Sequence, residues 1–198
     1  ENALRLVLLS RLEKFHEQYP HFRLRISNHS TPQAIQALRS DIVDFAAVTT
    51  PLDIKSPLEK IPLASYREIL IGGRKYKKLA EHTQKLEDIA SLPFISLDEN
   101  SSTRELYNSF FLEHGLSFAP DMETATTDQM LPLITHNLGI GFYPKKMAEL
   151  ALTKGDVYQI PLEEKLPLRR IYLVTNGSTA KSTAVRKMIK FIQEYHKI

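Results

Sequence analysis

Leu92–Gly115 reads LPFISLDENSSTRELYNSFFLEHG, a complete strand, loop and helix. Leu92–Leu97 is a short apolar run with a β-branched member, the composition of a buried strand. Asp98–Ser101 is turn-forming. Ser102 and Glu105 have the S-x-x-E spacing of a capping box, which sets the helix start there. Leu106, Tyr107, Phe110, Phe111 and His114 then recur at i, i+3/i+4, and Gly115 ends the helix. Such a unit hands Ser101, Ser102 and Thr103 to a helix N-terminus, where free N–H groups and the dipole favour an anion. The alternative reading is that these hydroxyls only cap their own helix.

The same unit recurs on both sides of this stretch. Downstream, Met122–Ala125 is a short strand, and Thr126 and Gln129 repeat the capping-box spacing before a helix running to about His136. Pro132 lies a turn inside that helix, where it removes one backbone bond, so a kink or a shifted start is expected. Gly139–Pro144, GIGFYP, is a strand whose two glycines allow another backbone or a ligand to approach closely. Upstream, Phe22, Leu24 and Ile26 alternate with Arg23 and Arg25 as in a half-buried strand. Thr31 before Pro32 is a helix start, Thr as cap and Pro at the first helical position. Val43–Val48, VDFAAV, is a buried strand that ends in Thr49 and Thr50. The helix starts TPQAI (Thr31–Ile35) and TDQML (Thr127–Leu131) are alike in pattern. Two strand–helix–strand units imply two α/β lobes, each with a mostly parallel sheet. Ligands on open α/β sheets bind beyond the strands' C-terminal ends. His29, Ser30, Thr31, Thr49, Thr50, Ser101, Ser102, Thr103, Thr126 and Thr127 all fall at such ends. A cleft between lobes would gather them.

The remaining elements are shorter. Leu4, Val7, Leu8, Leu12, Phe15 and Tyr19 form one apolar stripe of a first helix stopped by Pro20. Ile61–Ala64 and Glu68–Ile71 are strands, and Gly72-Gly73 marks a break in composition. The basic run Arg74–Lys78 reads as a solvated loop. Leu86–Leu92 is a short helix or turn, Lys145–Leu152 a short helix, and Val157–Ile160 and Arg170–Val174 strands. A closing helix from about Ser182 turns Val185, Met188, Ile189 and Ile192 to the core.

Composition narrows function. A chain of 198 residues buries roughly 70% of its extended surface, enough for a core. The absence of cysteine excludes disulfides, Cys–metal sites and a Cys nucleophile. A net charge of +3 is too small to point to nucleic-acid binding by these residues. No apolar run approaches the ~18 residues of a membrane span. No secretory signal is visible, and the start at Glu1, without Met, suggests a fragment of a cytoplasmic protein. His16, His21, His29, His82, His114, His136 and His196 show no metal-binding spacing, and no nucleophile elbow or Walker loop occurs. No cofactor, metal or catalytic residue is expected. Among the histidines only His29 falls near the proposed cleft. Asp98 and Asp128 are candidates to meet an ammonium group and Arg104 an anion, with solvated surface roles as the alternative.

Several motifs, taken in order, resemble the effector-binding domain of LysR-type transcriptional regulators over essentially the whole chain. They are FHEQYP (Phe15–Pro20), VDFA (Val43–Ala46), SSTR (Ser101–Arg104), NLGIGFYP (Asn137–Pro144), a Leu-rich strand (Ile171–Val174) and AVR (Ala184–Arg186) in the last helix. The resemblance implies a type II periplasmic-binding-protein-like fold, two Rossmann-like lobes joined by two crossover segments near 71–74 and 168–174. Lobe I would be 1–73 with 175–198 returning to it, and lobe II 74–170. The family's first strand would be absent or lie just before Glu1. The implied function is to sense a small anionic metabolite in the cleft. The signal would pass to helix-turn-helix domains outside this sequence, in a homodimer or homotetramer paired partly through Leu4–Tyr19. The alternative is a free-standing solute-binding protein of a transporter. Family members usually have glycine where this chain has Ser40 or Asp41, and again at Asn137. Asn tolerates a left-handed helix end.

Overall fold

The computed structural model describes residues 1–195; His196 lies outside the described residues. The chain divides into two compact units, Glu1–Ser65 with Arg170–Ile198, and Tyr66–Arg169.

In the first unit a π-helical turn, Leu4–Leu8, runs into α1, Leu9–Gln18. It is followed by α2 (Thr31–Arg39), β1 (Ala46–Thr49) and β2 (Leu58–Tyr66). Late in the chain come β8 (Arg169–Asn176) and α7 (Thr183–Glu194). The sheet order is β1-β8-β2, and β1 pairs with β8 antiparallel, Ala46 opposite Val174. Strand alternation divides the core. Tyr172 and Val174 pack with Ile35 and Leu38 of α2, whereas Leu173, between them, packs with Phe15 of α1 and Met188, Ile189 and Ile192 of α7. Arg11 ties the second layer together by donating to the Leu63 and Ile192 carbonyls.

The second unit contains β3 (Glu68–Gly73), α3 (Leu86–Ile89), β4 (Ile95–Leu97), α4 (Ser102–Glu113) and β5 (Met122–Thr124). Next come α5 (Thr127–Thr135), β6 (Ile140–Pro144), α6 (Lys145–Lys154) and β7 (Val157–Ile160). Here β6-β3-β7 form an antiparallel sheet, β4 and β5 pair in parallel, and Phe94 bridges Ile140 in parallel. Alternation again separates two layers: Leu70, Phe94, Ile140 and Phe142 join an aromatic cluster with Tyr107, Phe110, Phe111 and Phe118. Ile71, Ile95 and Tyr143 face Met130, Ile134 and Ala148.

Four expectations are corrected. The sheets are not mostly parallel, because β3 runs antiparallel to both β6 and β7, and β8 antiparallel to β1. Phe22–Ile26 forms no strand. Its alternation gives it two faces but no hydrogen-bonding neighbour, and it instead lines an apolar cavity of about 660 Å³ with Leu4, Leu8, Val185 and Met188. The basic run is a 3-10 helix, Arg74–Ala80, because Tyr76 anchors it in the core while its four cations stay exposed. β1 begins at Ala46, three residues beyond the expected start.

Glycine and its substitutes act where the backbone demands it. A Cβ on Gly139 would lie 2.7 Å from the Pro93 carbonyl oxygen, and one on Gly141 2.8 Å from that of Ile95. The close approach foreseen for GIGFYP is therefore made by the chain of β4. α2 and α5 end on left-handed residues, Asp41 (φ 52) and Asn137 (φ 64), each followed by the long-range bond of a Schellman turn, Ile42 N–H to Ala37 and Leu138 N–H to Leu133. Both are among the positions where the resemblance led us to expect a glycine.

Candidate functional site

In the second unit, the parallel pair β4–β5 ends with Leu97 opposite Thr124, and the Asp98 N–H continues the ladder to the Thr124 carbonyl at 3.1 Å. Each strand then turns into a helix. The N-termini of α4 and α5 therefore start side by side, and Ser101–Thr103 and Thr126–Thr127 lie at the same end of the pair, as strand order requires.

Hydrogen-bond capacity separates these hydroxyls. A hydroxyl has one donor and two acceptor sites. The cap of α4 is Ser101, not Ser102: its Oγ accepts from the Arg104 N–H at 3.1 Å and donates to the Asp98 carbonyl at 2.9 Å. Glu105 takes no part, because the reading by spacing was one residue out of phase with the cap. Thr126 caps α5 as expected, in a capping box with Gln129, and its hydroxyl donates to Asp128 at 2.5 Å. Pro132 neither moved that start nor ended the helix.

Ser101 and Thr126 thus serve their own helices. Ser102 and Thr103 differ. The Ser102 hydroxyl has no bond to the described residues, and the Thr103 hydroxyl donates to none of them. Their N–H groups occupy the first turn of α4, where no intrahelical partner exists.

Behind Thr103 lies a buried charge cluster that sequence reasoning missed. Arg169 donates through Nη2 to Thr103 Oγ1 at 3.0 Å and through Nη1 to Glu68 Oε2 at 2.9 Å. The Arg169 and Glu68 side chains are 1% and 2% exposed. Burial, the largest single influence, lowers the arginine pKa, but the charge and hydrogen bond of Glu68 together with Tyr66 and Tyr107 outweigh it, and the net direction is up. The Tyr107 hydroxyl hydrogen-bonds Glu68, and burial followed by the Glu68 charge pushes its pKa well above the ordinary tyrosine value. The Arg169 guanidinium also lies 5.7 Å from the centre of the Tyr66 ring. Both charges begin strands and are far apart in sequence, so no local spacing marks them.

Arg104 is committed elsewhere: it pairs with Glu123 at 2.6 Å, bonds Asn108 at 3.0 Å and covers Phe118. Asp98 accepts from the Asn100 N–H.

In the first unit the α2 N-terminus meets the end of β1. Thr31 Oγ1 donates to the Thr49 carbonyl at 3.2 Å. Ser30 is the cap, one residue ahead of the expected Thr31, and forms a capping box with Gln33 that leaves Pro32 inside the first turn. The Thr50 hydroxyl accepts from the Arg170 N–H at 3.0 Å. His29 is exposed and lines the apolar cavity. Ser30, Thr31, Thr49 and Thr50 are therefore neighbours, with several of their groups used in holding the turn.

Among the described residues, no cluster of three or more His, Cys, Asp or Glu could hold a metal, and no helix is long and apolar enough to cross a membrane.

The family described as LysR substrate binding domain matches residues 2–197. An HTH-type transcriptional regulator of Escherichia coli, YeiE, is 20% identical over 93% of this chain and 62% of its own length. The chain therefore spans less than two thirds of this curated relative. Among solved structures, the effector binding domain of QuiR in complex with shikimate is similar at a TM-score of 0.79 and 21% identity, covering 95% of this chain and 89% of that one. The regulatory domain of Synechocystis PCC6803 CcmR in complex with 2-PG gives 0.83 and 13%, covering 97% and 92%.

Proposed function

We propose, for a chain that belongs to the LysR substrate-binding domain family, that its effector is a small anion held at the first turn of α4. The observation that carries this is the unspent hydrogen-bonding capacity of Ser102 and Thr103, beside N–H groups whose dipoles favour negative charge. Shikimate in QuiR and 2-PG in CcmR are small anionic ligands of similar domains, and they support the same class here. Thr127, buried at the start of α5, is the next contact we assign. Ser101, Thr126, Ser30, Thr31, Thr49 and Thr50 then shape the turns, and His29 is left to the first unit's cavity.

The domain has a regulatory and not a catalytic role; its relatives are transcriptional regulators. The full-length protein is proposed to be a cytoplasmic homodimer or homotetramer that engages DNA through a helix-turn-helix domain beyond these residues. The HTH-type relative, of which this chain spans 62%, supports that reading. A transporter's solute-binding protein is disfavoured by the same relatives. Calorimetric titration with a panel of organic acids and amino acids tests the proposal. Saturable heat with an acid, lost in Ser102→Ala, is expected. A folded sample giving no heat with any of them overturns it.

A further inference from the structure

The cluster around Arg169 meets the effector reading at Thr103, and Arg169 is the most completely buried charged residue among the described residues. Its geometry fixes the direction of one hydroxyl. The Thr103 oxygen already accepts from a guanidinium at 3.0 Å. Its own hydrogen has no acceptor among the described residues, and the other groups exposed by the first helical turn are N–H donors. Among the described residues that leaves the hydrogen open to a bound acceptor. Glu68 pairs with the other terminal nitrogen of the guanidinium and holds it in place through a 2.9 Å bond. Tyr107 in turn holds Glu68 by a hydrogen bond.

We propose that Arg169, backed by Glu68, is a positioning and selectivity residue for the effector: its bond takes one of the two acceptor sites of Thr103 Oγ1 and its charge opposes a second donor there, so the hydroxyl offers its hydrogen and the site favours an anion over a neutral donor. This rests on the effector site assigned above. The arrangement has a signed electrostatic consequence. Arg169 lies one hydroxyl away from the bound anion and attracts it. Glu68 lies one guanidinium further and repels it, less strongly because it is more distant. A pair that served stability alone would give no such opposition, since removing either partner would loosen the same structure and weaken binding alike.

Phosphate is a suitable probe. The isotope-labelled 198-residue chain is titrated with sodium phosphate, and the amide signals of Ser102 and Thr103 are followed by NMR. Saturable movement is expected in the parent chain. Arg169→Met should weaken it at least tenfold, and the near-isosteric Glu68→Gln should tighten it at least threefold. In a Thr103→Val background the Arg169 substitution should change affinity less than twofold. If Arg169→Met does not fold, Glu68→Gln decides alone: unchanged or weaker binding overturns the inference. Both variants weakening together would make the pair purely structural, leaving the effector site intact. No saturable movement in the parent chain would instead remove the effector site itself, and this inference with it.

Discussion

Asn137 occupies a backbone position that ordinarily calls for glycine, and the structure shows why asparagine is held there. Its φ of 64° is left-handed, which costs most L residues roughly 1–2 kcal/mol and asparagine less. In return its Oδ1 accepts the Lys75 N–H at 2.7 Å. That N–H belongs to the first turn of the 3-10 helix Arg74–Ala80 and would otherwise lack a protein partner. The contact depends on Gly73, where a Cβ would sit 2.6 Å from the same oxygen. Asn137→Ala loses the bond, about 1 kcal/mol, and adds about 1 kcal/mol of left-handed strain, for about 2 kcal/mol in all. Asn137→Gly loses the same bond and adds unfolded-state entropy of roughly 0.4–1 kcal/mol, but relieves the strain. The glycine variant should therefore be less destabilised than the alanine variant by about 1 kcal/mol. In a chain of this size that is roughly 2–4 °C in Tm. Urea unfolding followed by circular dichroism measures both. An alanine variant as stable as the glycine variant would refute the claim that backbone conformation dominates here.

Three further outcomes follow from the same geometry. Ser101→Ala should cost about 1 kcal/mol of stability through loss of the α4 cap, and Ser102→Ala close to none; thermal melts of the two side by side separate cap from candidate ligand contact. Gly141→Ala should destabilise by about 1–3 kcal/mol, because the new methyl would meet the Ile95 carbonyl at 2.8 Å; equal urea midpoints for parent and variant would show that β4 can yield. Tyr107 keeps its proton in the folded state to a higher pH than in the unfolded chain. The stability it confers is complete below the unfolded value of about 10, and is lost as pH rises from there through the raised folded value. Urea midpoints between pH 8 and 11 should fall less steeply for Tyr107→Phe than for the parent chain.

The helices and their ends were legible because local chemistry sets them. The capping box of α5 and the left-handed close of α5 at Asn137 each follow from two or three adjacent residues. Phase was less secure where hydroxyls run together: with Ser101, Ser102 and Thr103 in a row, or Ser30 beside Thr31, spacing alone cannot choose the cap, and in both cases the earlier residue took it. Sheet direction was illegible in principle. Alternation in β3 or β8 reports two buried faces but not which strand lies alongside. Phe22–Ile26 has the pattern of a strand without the neighbour that would make it one.

The candidate site repeats that division at the level of single atoms. Sequence grouped ten hydroxyl or imidazole residues by type, of which those after β1, β4 and β5 lie at strand ends while His29–Thr31 follow no strand, and type does not reveal how much bonding capacity remains after folding. Ser101 and Thr126 have spent theirs on neighbours within three residues, Thr31 donates to backbone across the sheet end, and Thr50 there accepts from the Arg170 N–H. Ser102 and Thr103 keep a donor to offer, and only Thr103 does so with a buried cation behind it. That cation comes from residue 169, whose place beside residues 68 and 103 is set by tertiary structure. The selectivity proposed for this site therefore rests on a pairing that no motif of the first turn contains.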